Sequence, residues 1–508
     1  MPVNAAELVA TLKVGMEIHV ELATLSKMFT AAPNVAHAMY GDCEPNTLLD
    51  PVVVGMPGVL PVVNREAVEM SMLVGLALGC RIAGFTKWDR KSYYYPDLPK
   101  NYQISQYDQP LCVEGSVEVP LSDEPAAPTS TVRIIRAHLE EDAGKLLHDA
   151  PGGMPIDHSI VDLNRAGTPL LEIVTYPDFT SAEQVVRFAR ILRRICRALG
   201  VTEGVMQRGH MRFEPNINVV IDKDGAQVAT PIVEIKNLNS FKALDGAVRY
   251  EYNRQIEAWL ETGQVMESGA KSTRGWDDQR QVTFLQRQKE EAHDYRYFPD
   301  PDLVPLKISD EWIDRIRTRL PELPEARQNR YINRLGLNQK DAASIVDEPK
   351  RCDFFEQVLE AGVEPNRAAA MLLNYGARYA NERGRDVADL GITATQIKQI
   401  ADLSSAEMIG STAAGELFAY CCDEPARSAQ ELAEAHNLLQ VSETSALEGY
   451  VDQALTEAKN EKAVADIKAG KDKAIGALIG QVMKRSKGKA NPKVVGELIR
   501  GKIRSTSG

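Results

Sequence analysis

The sequence has few cysteines and no long apolar segment, and these absences exclude several classes of protein. Its seven cysteines form no C-x-x-C pair and no even-numbered framework, so neither a structural zinc site nor a disulfide scaffold is indicated. No apolar run is long enough to cross a bilayer, and the first residues form neither a basic nor an apolar leader segment. We therefore expect a cytoplasmic protein that does not bind membranes.

Motifs of two common enzyme classes are also absent. Residues 496–502 resemble a glycine-rich phosphate loop, but Ile503 occupies the Ser/Thr position and no strand precedes the segment. The sequence shows no Ser-His-Asp or Cys-His hydrolase signature with its local motif. A P-loop enzyme and a hydrolase with a serine or cysteine nucleophile are therefore not indicated.

The composition is that of a globular protein with several domains. The chain has 508 residues, which is too long for a single core, with 44% hydrophobic and 26% charged residues. Its net charge of −12 argues against indiscriminate binding of polyanions, although a local basic surface can still hold nucleic acid.

Residues 14–22 carry the clearest chemical pattern. Apolar side chains at 16, 18 and 20 alternate with Glu17, His19 and Glu21, which is the period of a half-buried strand. Same-face neighbours on a strand lie about 6.5 to 7 Å apart, so these side chains can converge on one cation or phosphate. The alternative interpretation is an edge strand whose charged face contacts only water.

Two later segments favour a binding site. A β-branched run at 132–135 leads into Glu140, Glu141 and Asp142, and Glu172 lies within an otherwise apolar, strand-like run. A buried carboxylate is costly to keep ionised, so Glu172 should face a cation, a base or water. Carboxylates with one imidazole and no thiolate suit Mg²⁺ or Mn²⁺. The combined pattern predicts a metal and phosphate site.

The fold class expected for the chain is α+β. Strand-like segments dominate as far as about residue 175 and return at 211–219 and 232–240, which predicts a mainly antiparallel sheet. Two helices, capped by Ser181 and Ser240, are predicted to cover this sheet.

The rest of the chain is predicted to be helical. After Pro305 the residue pattern changes from strand-like to helical, and a second change in the pattern near 391–405 indicates another domain boundary. We expect a sheet domain, a helical domain and a small helical tail domain at residues 1–300, 301–395 and 396–508.

Residues 89–108 interleave tyrosines with basic and amide side chains. Such a mixture suits an exposed surface on which a ligand stacks against rings. Tyrosines that pack two loops together would have the same composition, and both interpretations stay open.

The segment 473–496 has no acidic residue, although the chain is acidic overall. It contains five basic side chains that we predict bind the phosphate backbone of a nucleic acid, namely Lys484, Arg485, Lys487, Lys489 and Lys493. The alternative is a helix end that is merely solvated.

Ordered motifs along essentially the whole chain resemble the GatB family, the B subunits of the aspartyl/glutamyl-tRNA amidotransferase. The resembling segments are 17–22, 57–61, 102–106, 138–145, 164–169, 234–240, 294–299, 480–484 and 487–493. The resemblance implies a cradle-like, kinase-like catalytic domain followed by a helical domain and a tail domain that grips tRNA.

This family likeness also implies a reaction, that of a ligase with glutamine as amide donor. The side-chain carboxylate of Glu on tRNA-Gln, or of Asp on tRNA-Asn, would be activated by ATP and Mg²⁺ as an acyl phosphate and then attacked by ammonia. A separate amidase subunit would release the ammonia, and a small third subunit would complete the heterotrimer. Which of the two misacylated tRNAs is the substrate stays open.

The resemblance carries roles to individual residues as well. Its metal and catalytic positions match Glu17, His19, Glu141 and Glu172. Contacts to phosphate or to the tRNA 3′ end are assigned to Lys145, Arg165, Lys236 and Arg296. Some relatives have paired cysteines where this chain has Asp50 and Val53, so no zinc is expected.

Two other functions are compatible with parts of the sequence. A metal-dependent phosphohydrolase would need only the carboxylate cluster. A non-catalytic tRNA-binding scaffold would keep the basic tail but tolerate loss of Glu17, His19 and Glu172.

Overall fold

The computed structural model describes residues 9–122, 124, 127–150, 154–223, 225–267, 270–288, 295–440, 444–457, 460–468, 474–486 and 490–505. The chain divides into two compact units, Met1–Arg327 and Gln328–Gly508. The further division of the helical part near residue 395 stays a prediction.

The first unit contains the strands of the described chain. They are β1 (Val9–Glu21), β2 (Arg81–Ile82), β3 (Phe85–Thr86), β4 (Asp89–Ser92), β5 (Tyr102–Ser105), β6 (Cys112–Pro120), β7 (Thr129–Glu141), β8 (Lys145–Ala150), β9 (Met154–Asp162), β10 (Pro169–Thr175), β11 (Met211–Lys223), β12 (Ala226–Ala229), β13 (Val233–Lys236), β14 (Ser272–Asp277), β15 (Val282–Gln288), β16 (Phe298–Pro299) and β17 (Leu306–Lys307).

Ten of these strands form one sheet, in the order β15-β14-β13-β11-β1-β10-β7-β6-β2, with β12 paired to β11. All of its pairings are antiparallel except the one between β13 and β14. The predicted α+β class with a mainly antiparallel N-terminal sheet is therefore confirmed. The three short β-ladders β16-β4-β5, β17-β3 and β8-β9 lie outside it.

The helices are α1 (Arg65–Ala77), α2 (Ala182–Ala198), α3 (Phe241–Thr262), α4 (Asp310–Arg317), α5 (Pro324–Asn333), α6 (Gln339–Val346), α7 (Pro349–Glu360), α8 (Pro365–Ala370), α9 (Ala377–Arg383), α10 (Ala394–Ser405), α11 (Ser411–Asp423), α12 (Ala429–Ala435), α13 (Thr444–Thr456), α14 (Glu461–Lys468), α15 (Ile475–Arg485) and α16 (Pro492–Ser505). Short 3₁₀ turns occupy Met206–Arg208 and Val387–Asp389, and a π-helical turn occupies Met371–Gly376.

One hydrophobic core holds the sheet of the first unit against its helices. Val14, Met16, Ile18 and Val20 of β1 are buried on one face of the strand. Because strand side chains alternate, the residues between them project to the opposite face, where the charged side chains gather.

Helices α2 and α3 begin where their caps predicted. The Ser181 hydroxyl accepts the backbone N–H of Gln184, and the Ser240 hydroxyl accepts that of Ala243. Helix α3 ends at Gly263, whose φ of +68° suits a residue without a Cβ. Both predicted helices are confirmed.

The second unit is helical within the described residues, and its buried side chains form two clusters. One comprises residues between Tyr331 and Ala433, and the other residues between Leu447 and Ile503. Among the helices that the structure describes in either unit, none combines the length and the apolar composition needed to cross a bilayer.

Candidate metal and phosphate site

The register of the central strands brings the predicted charged residues into one row. His19 of β1 lies opposite Glu172 of β10, and Glu172 lies opposite His138 of β7. On the other side of β1, Arg212 of β11 lies opposite His19. Strand β1 is therefore a central strand, and its charged residues 17–21 form the middle of a wider polar surface. The alternative interpretation as an edge strand whose charged face contacts only water is wrong.

His19, Glu140 and Glu172 form the first acidic group, in which potential ligand atoms lie within 4.8 Å of one another. His19 Nε2 is 3.5 Å from Glu172 Oε2. His138 Nε2 is 3.6 Å from the same oxygen and 4.0 Å from Glu140 Oε2. Two imidazoles and two carboxylates thus surround a small volume.

Burial and charge shift the pKa values of this first group in opposite directions. Burial opposes protonation of His19, but its hydrogen bond to Glu172 and the charges of Glu214 and Glu172 outweigh it and raise the pKa to about 9. Burial lowers the pKa of His138 to about 4 and raises the pKa of Glu140. His138 is consequently neutral at neutral pH.

Lysine and histidine neighbours keep Glu172 ionised. Burial acts to raise the pKa of Glu172, but the hydrogen bond from His19 and the positive charges of His19 and Lys91 hold it well below the usual value. Burial would lower the pKa of Lys91, yet Glu140 and Glu172 raise it. Lys91 therefore stays protonated and acts electrostatically on this group as a positive charge.

Glu17, Glu214 and Glu234 form a second acidic group farther along the same face. The Lys236 ammonium donates to Glu214 Oε2 at 2.9 Å and lies 3.5 Å from Glu234 Oε1. The pKa of Lys236 is raised because Glu214 and Glu234 outweigh the effect of its burial. This group is thus already neutralised in part by the protein.

A third cluster, at the end of β1, contains Glu21, Asp142, Arg165 and Arg212. Arg212 Nη2 donates to Asp142 Oδ2 at 2.7 Å, and Arg165 Nε is 3.5 Å from the same oxygen. Burial acts to raise the pKa of Asp142, but the charges of these two arginines outweigh it and lower that pKa below its usual value. Burial together with Asp142 raises the pKa of Glu21.

The first acidic group fits a hard divalent cation best. Within the described part of the chain, Glu140 Oε2, His19 Nδ1 and His138 Nδ1 are buried and have no hydrogen-bond partner. Such orphaned atoms are rare in folded proteins, and a carboxylate-rich set with imidazole suits Mg²⁺ or Mn²⁺. The second group, in contrast, already contains the Lys236 ammonium.

The structure places Glu140 in the first acidic group where the resemblance suggested Glu141. The Glu141 carboxylate instead accepts from the Lys100 ammonium and from the backbone N–H of Ile104 at 3.0 Å. Residues 138 and 140 share one face of β7, whereas 141 projects to the other. Glu17, also predicted as a ligand, lies in the second group with Glu214 and Glu234.

The predicted phosphate-binding residues are spread over several places. Lys236 lies at the second acidic group. Arg165 belongs to the third cluster and also donates to the carbonyls of Ala143 and Gly144. Lys145 is the first residue of β8, and the Arg296 guanidinium lies 5.8 Å from the centroid of the Tyr94 ring. Among the described contacts, none joins either residue to the first or second acidic group.

Sequence reasoning did not assign His138, Lys91 or Glu234 to the acidic groups, and it included Glu140 only as one of three consecutive acids, without choosing it as a ligand. A signal for Glu140 was available, because His138 and Glu140 are separated by one residue in a strand and so share a side. Lys91 had no comparable signal, because it lies in the separate ladder that contains β4.

Both interpretations of the tyrosine-rich segment describe part of it. Tyr107 stacks on Tyr297 with ring centroids 4.2 Å apart, and Tyr93 meets Tyr295 edge-on at 6.0 Å. Tyr94 is 70% exposed. Some rings therefore pack loops together, and at least one faces solvent.

The described part of the basic tail presents two exposed lysines. Lys484 is exposed at the end of α15, and Lys493 lies 3.8 Å from Glu407. Arg485 is paired with Glu457. Lys487 and Lys489 lie outside the described residues.

Comparisons with known proteins agree with this architecture. A family model described as the GatB/GatE catalytic domain matches residues 12–314, and one described as the GatB domain matches 353–503. A protein of Caldicellulosiruptor saccharolyticus, named as the B subunit of an aspartyl/glutamyl-tRNA(Asn/Gln) amidotransferase, is 41% identical over 493 residues, covering 96% of this chain and 98% of the relative. A protein with the same name from Burkholderia vietnamiensis is 42% identical over 499 residues, with the same coverage.

The antiparallel sheet with its acidic face and the helical second unit define a multidomain protein that carries a catalytic domain of the GatB/GatE type. The chain belongs to the GatB family, the B subunits of the aspartyl/glutamyl-tRNA(Asn/Gln) amidotransferase. The resemblance found in the sequence motifs is thereby confirmed.

Proposed function

We propose that this chain activates the side-chain carboxylate of Glu on tRNA-Gln, or of Asp on tRNA-Asn, with ATP and then amidates it with ammonia. The observation that carries the proposal is the first acidic group, in which His19, Glu140 and Glu172 converge and Glu140 Oε2 lacks a partner in the described chain. The named relatives support the same reaction class, because each is named as part of a tRNA amidotransferase.

A divalent cation, when bound at this group, would neutralise the charge that develops on a transferring phosphate. The chain's own residues would orient the substrate. Lys91 acts electrostatically on the first group and Lys236 donates at the second, so a phosphate on this face would be attracted by both ammonium charges. Neutral His138, 3.6 Å from Glu172 Oε2, would position that carboxylate.

The proposed partners follow from the reaction. Because the sequence carries no hydrolase signature of its own, ammonia would come from a separate amidase subunit, while a small third subunit would complete a cytoplasmic heterotrimer. The other substrate would be the misacylated tRNA, held in part by the tail.

The test is transamidation of Glu-tRNA-Gln by the complex of this chain with its amidase and small subunits, ATP and Mg²⁺. His19→Ala and Glu172→Gln are each expected to lower the rate at least about 100-fold, because each removes a ligand from the first acidic group. Glutamine hydrolysis by the amidase and tRNA binding should persist. Full activity in both variants would favour a non-catalytic scaffold, and ATP hydrolysis that ignores tRNA would favour a phosphohydrolase.

The exposed tail lysines give a second prediction. Replacing Lys484 and Lys493 together by glutamine is expected to weaken tRNA affinity about three- to tenfold near 0.1 M salt and to reduce the salt slope of log K by about 1 to 2. Filter binding across a salt series measures both quantities.

A matched control for the tail is the double change of Lys350 and Lys398 to glutamine. Each of these lysines is paired with an aspartate, Asp389 and Asp402 respectively, more closely than Lys493 is with Glu407. The control should leave the salt slope unchanged. Equal effects of the two double variants would mean that the tail has no special role in tRNA binding.

A further inference from the structure

A cavity of about 240 Å³ lies in the first unit on the side of the sheet away from the acidic groups. Arg274 lines it from β14, and Trp259 and Arg254 line it from α3. Val233 of β13 also lines it, whereas the next residue in that strand, Glu234, projects to the other side and belongs to the second acidic group. The cavity and the acidic groups are therefore on opposite faces of the sheet.

The two arginines of the cavity share one fully buried carboxylate, that of Glu251. Arg254 Nε donates to both Glu251 oxygens at 3.1 and 3.0 Å. Arg274 Nε is farther away, 3.8 Å from Glu251 Oε2, and donates to the hydroxyl of Thr283 at 2.8 Å. Two guanidinium charges thus face one carboxylate charge.

Neutral donors already satisfy that carboxylate. Gln255 Nε2 donates to Glu251 Oε1, and the Thr283 hydroxyl donates to Glu251 Oε2, each at 3.0 Å. Among the described residues that line the cavity, none is acidic. One positive charge at the cavity wall is consequently left without a counter-charge among the described residues.

The guanidinium N–H groups that make no hydrogen bond with the described residues suit an anionic ligand. Arg254 and Arg274 each retain an Nη1 group that makes no hydrogen bond within the described chain. Burial and the Arg254 charge lower the pKa of Arg274, which an anion between the two would reverse. Planar guanidiniums bind carboxylate and phosphate groups in particular.

The rest of the cavity wall is mixed, with polar side chains such as those of Thr262, Gln264 and Ser272 beside an apolar part. Trp259, Pro231, Val233 and Leu285 supply apolar surface, and Ala258 leaves room beside them. We propose that this cavity is a binding site for a small organic anion, with its carboxylate or phosphate between Arg254 and Arg274 and its apolar part against Trp259. The site does not depend on the proposed reaction or on a metal.

Calorimetric titration of the full chain with phenyl phosphate and with phenylacetate, without divalent metal, tests this proposal. We expect at least one of the two to bind, and the stronger of them identifies the preferred head group. Arg274→Gln should weaken binding about tenfold or more, because it removes a charge-assisted contact. Ala258→Met should also abolish binding, because it fills the cavity and leaves both arginines in place.

Arg249→Gln is the matched control. Arg249 lies on the same helix but outside the cavity, and pairs with Asp245 and Glu183. Binding should be unchanged in this variant and in His19→Ala, which separates the result from failure at the acidic groups. The proposal is overturned if wild type binds neither probe, if Arg249→Gln matches Arg274→Gln, or if Ala258→Met binds normally while folded by its thermal midpoint.

Discussion

Glu140→Gln is expected to lower the rate of ATP-dependent transamidation at least about 100-fold, because it removes the negative charge of a carboxylate proposed to hold the metal. In the described structure Glu140 Oε2 is buried and accepts no hydrogen bond, and it lies near His138 Nε2. Glutamine keeps the size of the side chain, so the fold should be retained. The rate is measured against Mg²⁺ concentration, and Mn²⁺ affinity by calorimetry.

The control for this prediction is Glu141→Gln, at the neighbouring position with the same chemistry. Its carboxylate pairs with Lys100 and not with the acidic groups. We expect Glu141→Gln to keep its metal affinity but to lose about 1 to 3 kcal/mol of stability, since it weakens a buried charged hydrogen bond. If Glu141→Gln loses the metal and Glu140→Gln keeps it, the assignment based on strand alternation is wrong.

Lys27→Met is expected to change how the stability of the first unit depends on pH. Lys27 is fully buried, and its ammonium donates to the carbonyl of Ala166 at 2.7 Å. Burial lowers the pKa of Lys27 from 10.5 to about 8, although Asp50 and Glu141 oppose this. The folded state disfavours the charged form of Lys27. The free-energy cost of burying that charge is therefore fully present below pH 8 and disappears by about pH 10.5.

The sign of the effect follows from proton binding. Between pH 8 and 10.5 the unfolded chain binds more protons at this lysine than the folded one, so wild-type stability rises with pH over that window. Relative to Lys27→Met, wild type should gain about 2 to 3 kcal/mol between pH 7.5 and 10.

Urea unfolding followed by tryptophan fluorescence measures this gain for the first unit, which contains all four tryptophans, Trp88, Trp259, Trp276 and Trp312. Lys307→Met, at an exposed lysine, is the control and should show no comparable pH-dependent difference from wild type. A constant difference between wild type and Lys27→Met across the range would contradict the lowered pKa of Lys27.

Local patterns accounted for much of the fold. Alternation along residues 14–22 predicted β1 with a buried face and a charged face, and the structure buries Val14, Met16, Ile18 and Val20. The caps Ser181 and Ser240 placed the starts of α2 and α3. These features are readable because side-chain period and capping involve residues within a few positions of one another.

The membership of the acidic groups, in contrast, depended on which strands pair and in which register. That His19 faces Glu172 and Arg212 follows from β10 and β11 flanking β1, strands more than 140 residues away in the chain. Lys91 reaches the first group from a separate ladder. No short-range pattern encodes such contacts.

The sequence alone therefore established the α+β class, the charged face of β1, the exclusion of a P-loop and the family resemblance. Only the tertiary structure showed that Glu140, and not Glu141, lies in the first acidic group and that Lys236 lies at the second. It also showed a cavity lined by two arginines on the opposite face of the sheet. The physical reason is that a strand's period is local, whereas a metal site, an ion pair or a cavity is made by distant segments whose register the folded core selects.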